Sequence, residues 1–187
     1  MRFLALDFET NGRSSDDVLP CGGFPTQVSV TACVPATGDV LHLYNSYIRG
    51  AKSLSDWVCK NTSVTLELLE NAPLADEVSL ALGNLWNEGD VIVAHNACFD
   101  LGVVLPKIAP ANHPFLACPW VCTMQEGWAM CALRKRPTLG ELCGLLEVPY
   151  VPSMAHDATY DTHALASCLL AAHARGRKWS VCAPEDL

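Results

Sequence analysis

The chain begins with an apolar run, Arg2–Thr10, that carries two acidic residues near its end, Asp7 and Glu9. Such a run is typical of a buried β-strand, which we predict over residues 2–8. Side chains alternate along a strand, so Asp7 and Glu9 would project from the same face. Two neighbouring carboxylates at the end of a buried strand repel each other, and solvent, protons or bound cations must offset that repulsion. A strand that reaches the surface early and a cation site explain this pair equally well.

Length and hydrophobicity predict one compact domain over residues 1–187. The chain has 187 residues, half of them hydrophobic, which is enough for one full core but short for two. No stretch approaches the roughly 20 apolar residues of a membrane span. The first residues include an acid at position 7 and do not resemble a secretion signal. We therefore expect a cytoplasmic protein that does not associate with membranes.

Ten cysteines are many for a chain of this size. Most of them lie inside apolar segments, and this favours buried free thiols in a reducing compartment over disulfides. The cysteines inside apolar segments are Cys33, Cys98, Cys131, Cys143 and Cys168. The cysteines at positions 118, 122, 131 and 143 lack the paired C-x₂-C spacing of zinc sites, so core packing is favoured over a zinc site there.

The charge of the chain restricts how it can bind a polyanion. A net charge of −8 argues against a general, charge-driven nucleic-acid binder. It is compatible with an enzyme that holds a nucleic acid through cations bound to carboxylates. Two short basic clusters, Arg134–Arg136 and Arg175–Lys178, are candidates for phosphate contacts, but solvated turns explain them more simply.

The remaining pattern indicates a mixed α/β fold. After a loop over Asn11–Pro25, two apolar runs separated by the tight-turn sequence ATGD predict a β-hairpin. Strands are expected over residues 2–8, 26–34, 40–48, 91–94 and 120–122. Helices are expected over residues 54–71 (one or two), 74–87, 97–105, 123–133, 138–146 and 157–173. Asn96 is a suitable N-cap for the helix at 97–105, and Thr138 with Glu141 forms a capping box for the helix at 138–146.

Two further acids and a histidine stand out from this pattern. Asp100 lies in the first turn of the helix after the fourth strand, where the helix dipole tolerates a carboxylate and capping or solvation explains it. Asp161 lies on the apolar stripe of the last helix. An inward-facing carboxylate needs a partner, either a bound cation or an Arg or Lys side chain. His156 lies five residues before it, at the end of a proline-rich loop.

Three segments of the chain carry a resemblance to a known family. DFET at 7–10, AHNACFD at 94–100 and HDATYD at 156–161 resemble, in order and spacing, the three exonuclease motifs of the DEDDh, or DnaQ-like, 3′–5′ exonucleases. The resemblance covers residues 2–173 and leaves a short tail at 174–187. Within that family the motif segments resemble the epsilon subunit of DNA polymerase III and exonuclease X most.

The resemblance implies a ribonuclease-H-like fold with a central mixed five-stranded sheet flanked by helices. Asp7, Glu9, Asp100 and Asp161 would hold two divalent cations, Mg²⁺ or Mn²⁺, with Asp7 between them. Glu9 and Asp161 would complete the first cation site and Asp100 the second. His156 would be the general base that takes a proton from the attacking water. Hard cations prefer oxygen ligands, and histidine titrates near neutrality, so the physical chemistry agrees with this assignment.

The resemblance also places substrate contacts beside the acids. Phe8 and Thr10 would contact the terminal nucleotide, and Phe99 would pack or stack near its base. Core packing explains Phe8 and Phe99 equally well. His95 and Asn96 would orient the acid that follows them or cap its helix. The chain departs from the family pattern most in the loop that follows the first motif, which leaves substrate choice open.

These residues together predict a metal-dependent 3′–5′ exonuclease that releases nucleoside 5′-monophosphates from single-stranded or frayed 3′ ends. DNA is the first choice of substrate and RNA the second. The alternatives are an RNA-trimming enzyme, a proofreading subunit that works with a DNA polymerase, and a non-catalytic module that retains the fold. The pattern leaves the oligomeric state open.

Overall fold

A computed structural model of the protein describes residues 1–12, 23–132 and 134–187. Most of the loop predicted over Asn11–Pro25 lies outside the described residues. The strands are β1 (Phe3–Thr10), β2 (Pro25–Val34), β3 (Asp39–Tyr47), β4 (Val91–Ala94) and β5 (Trp120–Cys122). They form one sheet in the order β3-β2-β1-β4-β5. The first three strands are antiparallel, whereas β4 pairs parallel with both β1 and β5. The predicted mixed five-stranded sheet is therefore confirmed.

Helices flank this sheet. They are α1 (Asp56–Asn61), α2 (Leu66–Glu70), α3 (Ala75–Gly83), α4 (Ala97–Phe99), α5 (Thr123–Gly127), α6 (Leu139–Leu145) and α7 (Ala158–Ala174). The predicted capping box of α6 is present, because Thr138 Oγ1 accepts the Glu141 N–H and the Glu141 carboxylate accepts the Thr138 N–H. None of the helices in the described part of the chain is long and apolar enough to span a bilayer.

Two helices end earlier than predicted. Helix α3 ends at Gly83, not at residue 87, because Gly83 and the following Asn84 are weak helix formers. Helix α5 ends at Gly127, short of the predicted end at residue 133, which lies outside the described residues. A Cβ atom at Gly127 would lie 2.6 Å from Cγ of Pro137. Only glycine permits this close contact, and glycine also weakens the helix.

The helix predicted over residues 97–105 is wrong in its type. The α4 turn is followed by a π-helical turn, Asp100–Val104, and then by a 3₁₀ turn, Leu105–Lys107. Pro106 has no N–H to donate to the preceding turn, so a regular α-helix cannot continue through it. Asn96 stands at the start of α4, but its side chain makes no capping hydrogen bond. Its backbone carbonyl accepts the Phe99 N–H at 2.7 Å instead.

Side-chain alternation along β1 positions the acidic pair. Phe3 and Ala5 pack with Leu165 and Leu169 of α7, whereas the intervening β1 residues belong to the core on the other side of the sheet. Asp7 and Glu9 have the same parity as Phe3 and Ala5, so they continue the face of β1 that lies under α7. The first part of the strand builds the core, and its last part presents carboxylates along the same face.

Helix α7 carries the matching pattern. Leu169, Leu165 and Asp161 are spaced by four residues and lie on one side of the helix. The two leucines are at most 1% exposed. The stripe passes from leucine to aspartate toward the N-terminus of α7, which brings Asp161 to the end of the sheet where Asp7 lies.

The cysteines divide between core and surface. Cys33, Cys143 and Cys168 are buried, as predicted, but Cys98 is exposed and Cys131 is half-buried. The predicted burial of Cys98 is wrong because the short α4 turn buries its neighbour Ala97 and directs residue 98 outward. All cysteines in the described ranges are free thiols.

Candidate active site

A cavity of about 840 Å³ lies at the end of β1. Its walls come from β1, from the start of α4, from α1, and from the segment that enters α6. All ten residues predicted from the sequence as site residues line it: Asp7, Phe8, Glu9, Thr10, His95, Asn96, Phe99, Asp100, His156 and Asp161. The fold therefore brings together three sequence segments that are separated by more than 50 residues along the chain.

Asp7 and Glu9 are partly buried at the base of the cavity. Burial, reinforced by the negative charges of Glu9, Asp100 and Asp161, raises the pKa of Asp7 well above its usual value. Burial and the same cluster of acids raise the pKa of Glu9 to about 8. Asp7 Oδ2 is enclosed and has no hydrogen-bond partner among the described residues. The pair predicted from the sequence is thus part of a crowded group of acids that a proton or a cation stabilises.

Asp100 is fixed by the backbone of β1. The strand extends beyond its pairing with β4, which ends opposite Ala5. Past that point the Phe8 N–H donates to Asp100 Oδ1 at 3.1 Å. Asp100 is 3% exposed, and burial raises its pKa to about 7 although the hydrogen bond from Phe8 opposes the shift. The carboxylate therefore accepts a hydrogen bond from a backbone N–H of β1 beyond the pairing with β4.

Asp161 is held in a similar way by the loop before α7. The His156 N–H donates to Asp161 Oδ2 at 3.0 Å. Oδ1 is enclosed and has no hydrogen-bond partner in the described ranges. Burial raises the pKa of Asp161 to about 6, and the hydrogen bond from His156 acts in the opposite direction. One oxygen is fixed and the other is left for a ligand.

The acids have no cationic partner in the described part of the chain. The ion pairs there involve other acids, namely Asp56, Asp90, Glu141 and Glu147. The alternative in which Asp161 pairs with Arg or Lys is therefore wrong for these residues. One potential ligand atom each from Glu9, His156 and Asp161 lies within 4.8 Å of the other two. Unpaired carboxylate oxygens around a cavity fit a hard divalent cation.

His156 lies at the mouth of the cavity in an unusual backbone conformation. Its φ angle is 65°, in the left-handed region that residues other than glycine seldom adopt. The side chain is exposed, and its ring meets the Trp57 ring edge-on, with the centroids 4.8 Å apart. The bond from its N–H to Asp161 makes this backbone conformation part of the site geometry.

The residues predicted to contact the substrate differ in how much of each side chain is exposed to the cavity. The Phe8 side chain is 4% exposed and belongs to the core, so only its backbone remains for the site. Phe99 is partly buried against the same core. Thr10 Oγ1 donates to the Gly12 carbonyl at 2.7 Å and orders the chain just after β1. Asn96 is exposed at the cavity wall.

His95 connects two segments of the cavity wall through hydrogen bonds at both ring nitrogens. Nε2 donates to the Pro137 carbonyl at 2.9 Å, and Nδ1 contacts Thr123 Oγ1 at 3.1 Å. Because the carbonyl only accepts, the bond requires Nε2–H, and Nδ1 can then accept from the hydroxyl. Burial lowers the pKa of His95 to about 4. The neutral ring joins the end of β4 to the segment that enters α6.

The buried neutral state of His95 predicts a pH-dependent stability. Between pH 6.5 and 4 the unfolded chain binds a proton that the folded chain does not, so stability is lost as the pH falls through this range. Urea unfolding at about pH 7 and about pH 4.5 should show that the wild type loses on the order of 2 kcal/mol more than His95→Gln, which cannot titrate. Equal losses in both proteins would contradict the prediction.

Sequence reasoning missed several residues of the cavity wall. Trp57, Met124 and Tyr150 line the cavity but lie outside the motif segments. The Tyr150 ring occupies the space beside Gly140, where an added Cβ would lie 2.8 Å from it. The spacing of the proline-rich loop gives no sign of this contact. The loop before α7 is connected to the acids by the His156 N–H, which donates to Asp161.

A mixed sheet that ends beside a histidine and four acids, none with a cationic partner among the described residues, is typical of one class of protein, the enzymes that cleave phosphodiesters with the help of divalent cations. The model of the exonuclease family RNase_T matches residues 4–169. The chain therefore belongs to this exonuclease family, in agreement with the resemblance of its sequence motifs. Exonucleases of this kind use divalent metal ions.

Comparison with individual proteins supports this assignment. The chain is 25% identical over 170 residues to the PolC-type DNA polymerase III of Mycoplasmopsis pulmonis, which covers 90% of the chain and 11% of the polymerase. It therefore spans about a ninth of that relative. Among solved structures, the nuclease domain of 3′hExo, a DEDDh family member bound to rAMP, matches 96% of the chain and 95% of its own length (TM-score 0.75, identity 15%). Exonuclease X in complex with 5′ overhanging duplex DNA matches 94% of both chains (TM-score 0.68, identity 19%). These structures share the fold.

Proposed function

We propose that the protein hydrolyses the terminal phosphodiester at a single-stranded or frayed 3′ end of DNA and releases nucleoside 5′-monophosphates with two divalent cations. The observation that carries this proposal is the group of four acids that have no cationic partner in the described residues, together with the two enclosed carboxylate oxygens of Asp7 and Asp161. We propose that residues 1–187 form one exonuclease domain in a reducing, cytoplasmic setting, which agrees with the free thiols.

The acids would hold the cations and the histidine would move a proton. Asp7, Glu9 and Asp161 would hold one Mg²⁺ or Mn²⁺, and Asp7 with Asp100 the other. When bound, the cations supply charge neutralisation at the phosphate and at the leaving oxygen, and they lower the pKa of the attacking water. His156 accepts the proton of that water as the bond from phosphorus to the 3′-oxygen of the preceding nucleotide breaks.

Two of the acids are held in position by backbone N–H groups. Phe8 orients Asp100 through its N–H, and the backbone of His156 orients Asp161. Because His156 donates its N–H to Asp161, the base and a cation-binding carboxylate are fixed relative to each other. The Trp57 ring restricts the imidazole from one side. Such preorganisation supports the proposed role of His156, because a proton acceptor held in position would need little reorganisation at the moment of reaction.

The names of similar proteins favour DNA as the substrate of this chain. The PolC-type polymerase is a DNA enzyme by name, and exonuclease X was solved with DNA. The same fold bound rAMP in 3′hExo, which keeps RNA trimming as the second candidate. A proofreading role with a DNA polymerase is the third, because the PolC relatives carry a matching segment within a much longer chain.

A digestion assay with end-labelled oligonucleotides tests the proposal. Matched single-stranded DNA, single-stranded RNA and a duplex with a 3′ mismatch are compared, each with a free and a blocked 3′ end. We expect Mg²⁺- or Mn²⁺-dependent release of mononucleotides from the free 3′ end of DNA, loss of activity in EDTA and recovery on metal addition. Asp161→Asn is the inactive control. Metal-dependent binding without cleavage of any substrate would contradict the proposal and favour a non-catalytic module.

A further inference from the structure

The basic turn Arg134–Arg136 divides its three side chains among three environments. The Arg134 guanidinium lies 6.0 Å from the centre of the Trp128 ring. Lys135 forms an ion pair with Glu141, the capping residue of α6. Arg136 lines the active-site cavity and has no ion-pair partner among the described residues. The cluster that composition alone treats as a solvated turn therefore places one cation at the site.

Arg136 is the only lysine or arginine among the described residues that line this cavity. Its position is fixed from the C-terminal side. The next residue, Pro137, accepts the hydrogen bond from His95 and packs on Gly127. Thr138 then caps α6. The backbone that carries Arg136 is thus tied to the end of β4 and to the start of a helix, so the guanidinium is presented from a rigid support.

The location of Arg136 relative to the acids decides which phosphate it can serve. A guanidinium within 4.0 Å of Asp7, Glu9, Asp100 or Asp161 would form an ion pair, and none of these acids has one in the described part of the chain. The Arg136 guanidinium therefore does not lie against the acids that would hold the reacting phosphate. The next phosphates of the same strand follow at intervals set by the sugar–phosphate backbone, and a guanidinium carried by a rigid backbone segment suits such a group.

We propose that Arg136 binds a backbone phosphate of the substrate strand on the 5′ side of the cleaved bond. This inference rests on the proposed function. Arg136 supplies affinity and register for the strand and takes no part in bond cleavage. In a protein of net charge −8, one positioned arginine in the cavity gives the polyanion a defined point of attachment.

The test compares two substrates with Arg136→Ala. On single-stranded oligonucleotides we expect KM to rise about tenfold with little change in kcat, since a charge-assisted contact is lost. The slope of log KM against log salt should fall by about 0.7, the value for one phosphate contact on a single strand. On the p-nitrophenyl ester of thymidine 5′-monophosphate, which has one phosphate, the variant should match the wild type. Arg136→Lys should recover part of the affinity.

Arg134→Ala is the matched control, because it removes the same charge from the same turn outside the cavity lining, and it should leave the salt slope unchanged. An unchanged salt slope and KM in Arg136→Ala would overturn the inference while wild-type activity still supports the proposed function. Equal losses on both substrates would also overturn it, because they would place Arg136 at the reacting phosphate. If the wild type cleaves neither substrate, the proposed function itself fails.

Discussion

Replacing Asp7 by Asn is expected to abolish exonuclease activity and at the same time to stabilise the metal-free protein. Asp7 is surrounded by Glu9, Asp100 and Asp161, and burial together with these charges raises its pKa. Asparagine has the same shape without the charge, so it relieves the repulsion. We expect a gain on the order of 2 kcal/mol in the free energy of unfolding near pH 8 in EDTA. The rate should fall at least about a thousandfold, since Asp7 would contact both cations.

The pH dependence of this gain has a definite sign. An acid whose folded pKa is raised binds more protons in the folded state than in the unfolded state, so stability falls as the pH rises from its unfolded pKa to its folded pKa. The pKa of Glu9 is raised to about 8 and that of Asp100 to about 7, so the contribution of these two acids to the stability of the metal-free wild type should decline as the pH rises from about 4 to about 8. The advantage of Asp7→Asn should be small at the acidic end of this window and largest at the basic end.

Thermal unfolding with and without Mg²⁺ separates this effect from a general change in stability. Mg²⁺ should raise the Tm of the wild type, because it binds the folded state and offsets the repulsion. The rise should be much smaller in Asp7→Asn. The control is Asp56→Asn, whose side chain is 99% exposed and whose Tm should stay close to the wild type with a full response to Mg²⁺. A metal-free Asp7→Asn protein that is less stable than the wild type would contradict the prediction.

The strands and the positions of the acids on β1 and α7 were predictable because they depend on local patterns. The alternation in β1 and the spacing of Asp161, Leu165 and Leu169 along α7 are visible in the sequence, and they determine which side chains meet. The acidic pair and the last aspartate fall at the ends of those two patterns. The five strands follow the predicted ranges closely, and α7 begins and ends within a residue of its predicted range.

The parts that were not predictable depend on contacts between distant segments. The π-helical turn at Asp100 accompanies the bond from the Phe8 N–H and the missing donor of Pro106, and helical periodicity does not report either of them. The early end of α5 depends on the contact between Gly127 and Pro137. Tyr150 and Trp57 enter the site from segments without a motif, so only the folded arrangement places them beside the acids.

Replacing His156 by Asn tests the role of the base without disturbing the backbone that supports Asp161. His156 has a φ of 65°, and asparagine tolerates this left-handed region better than alanine does. The variant retains the N–H that donates to Asp161 but has no group that accepts a proton near neutral pH. We expect kcat to fall by about a hundredfold to ten-thousandfold, the usual contribution of a general base. The Tm and its increase with Mg²⁺ should stay near those of the wild type.

Two comparisons make the His156 result decisive. His156→Ala removes the same imidazole but places alanine in the left-handed region, so it should match the asparagine variant in kcat and unfold at a lower temperature. His173→Asn changes an exposed histidine outside the cavity lining and should retain full activity. If His156→Asn kept a rate within about threefold of the wild type, proton transfer by this side chain would contribute less than a general base does. The imidazole would then act only as packing for Trp57, and the acids alone would account for the chemistry.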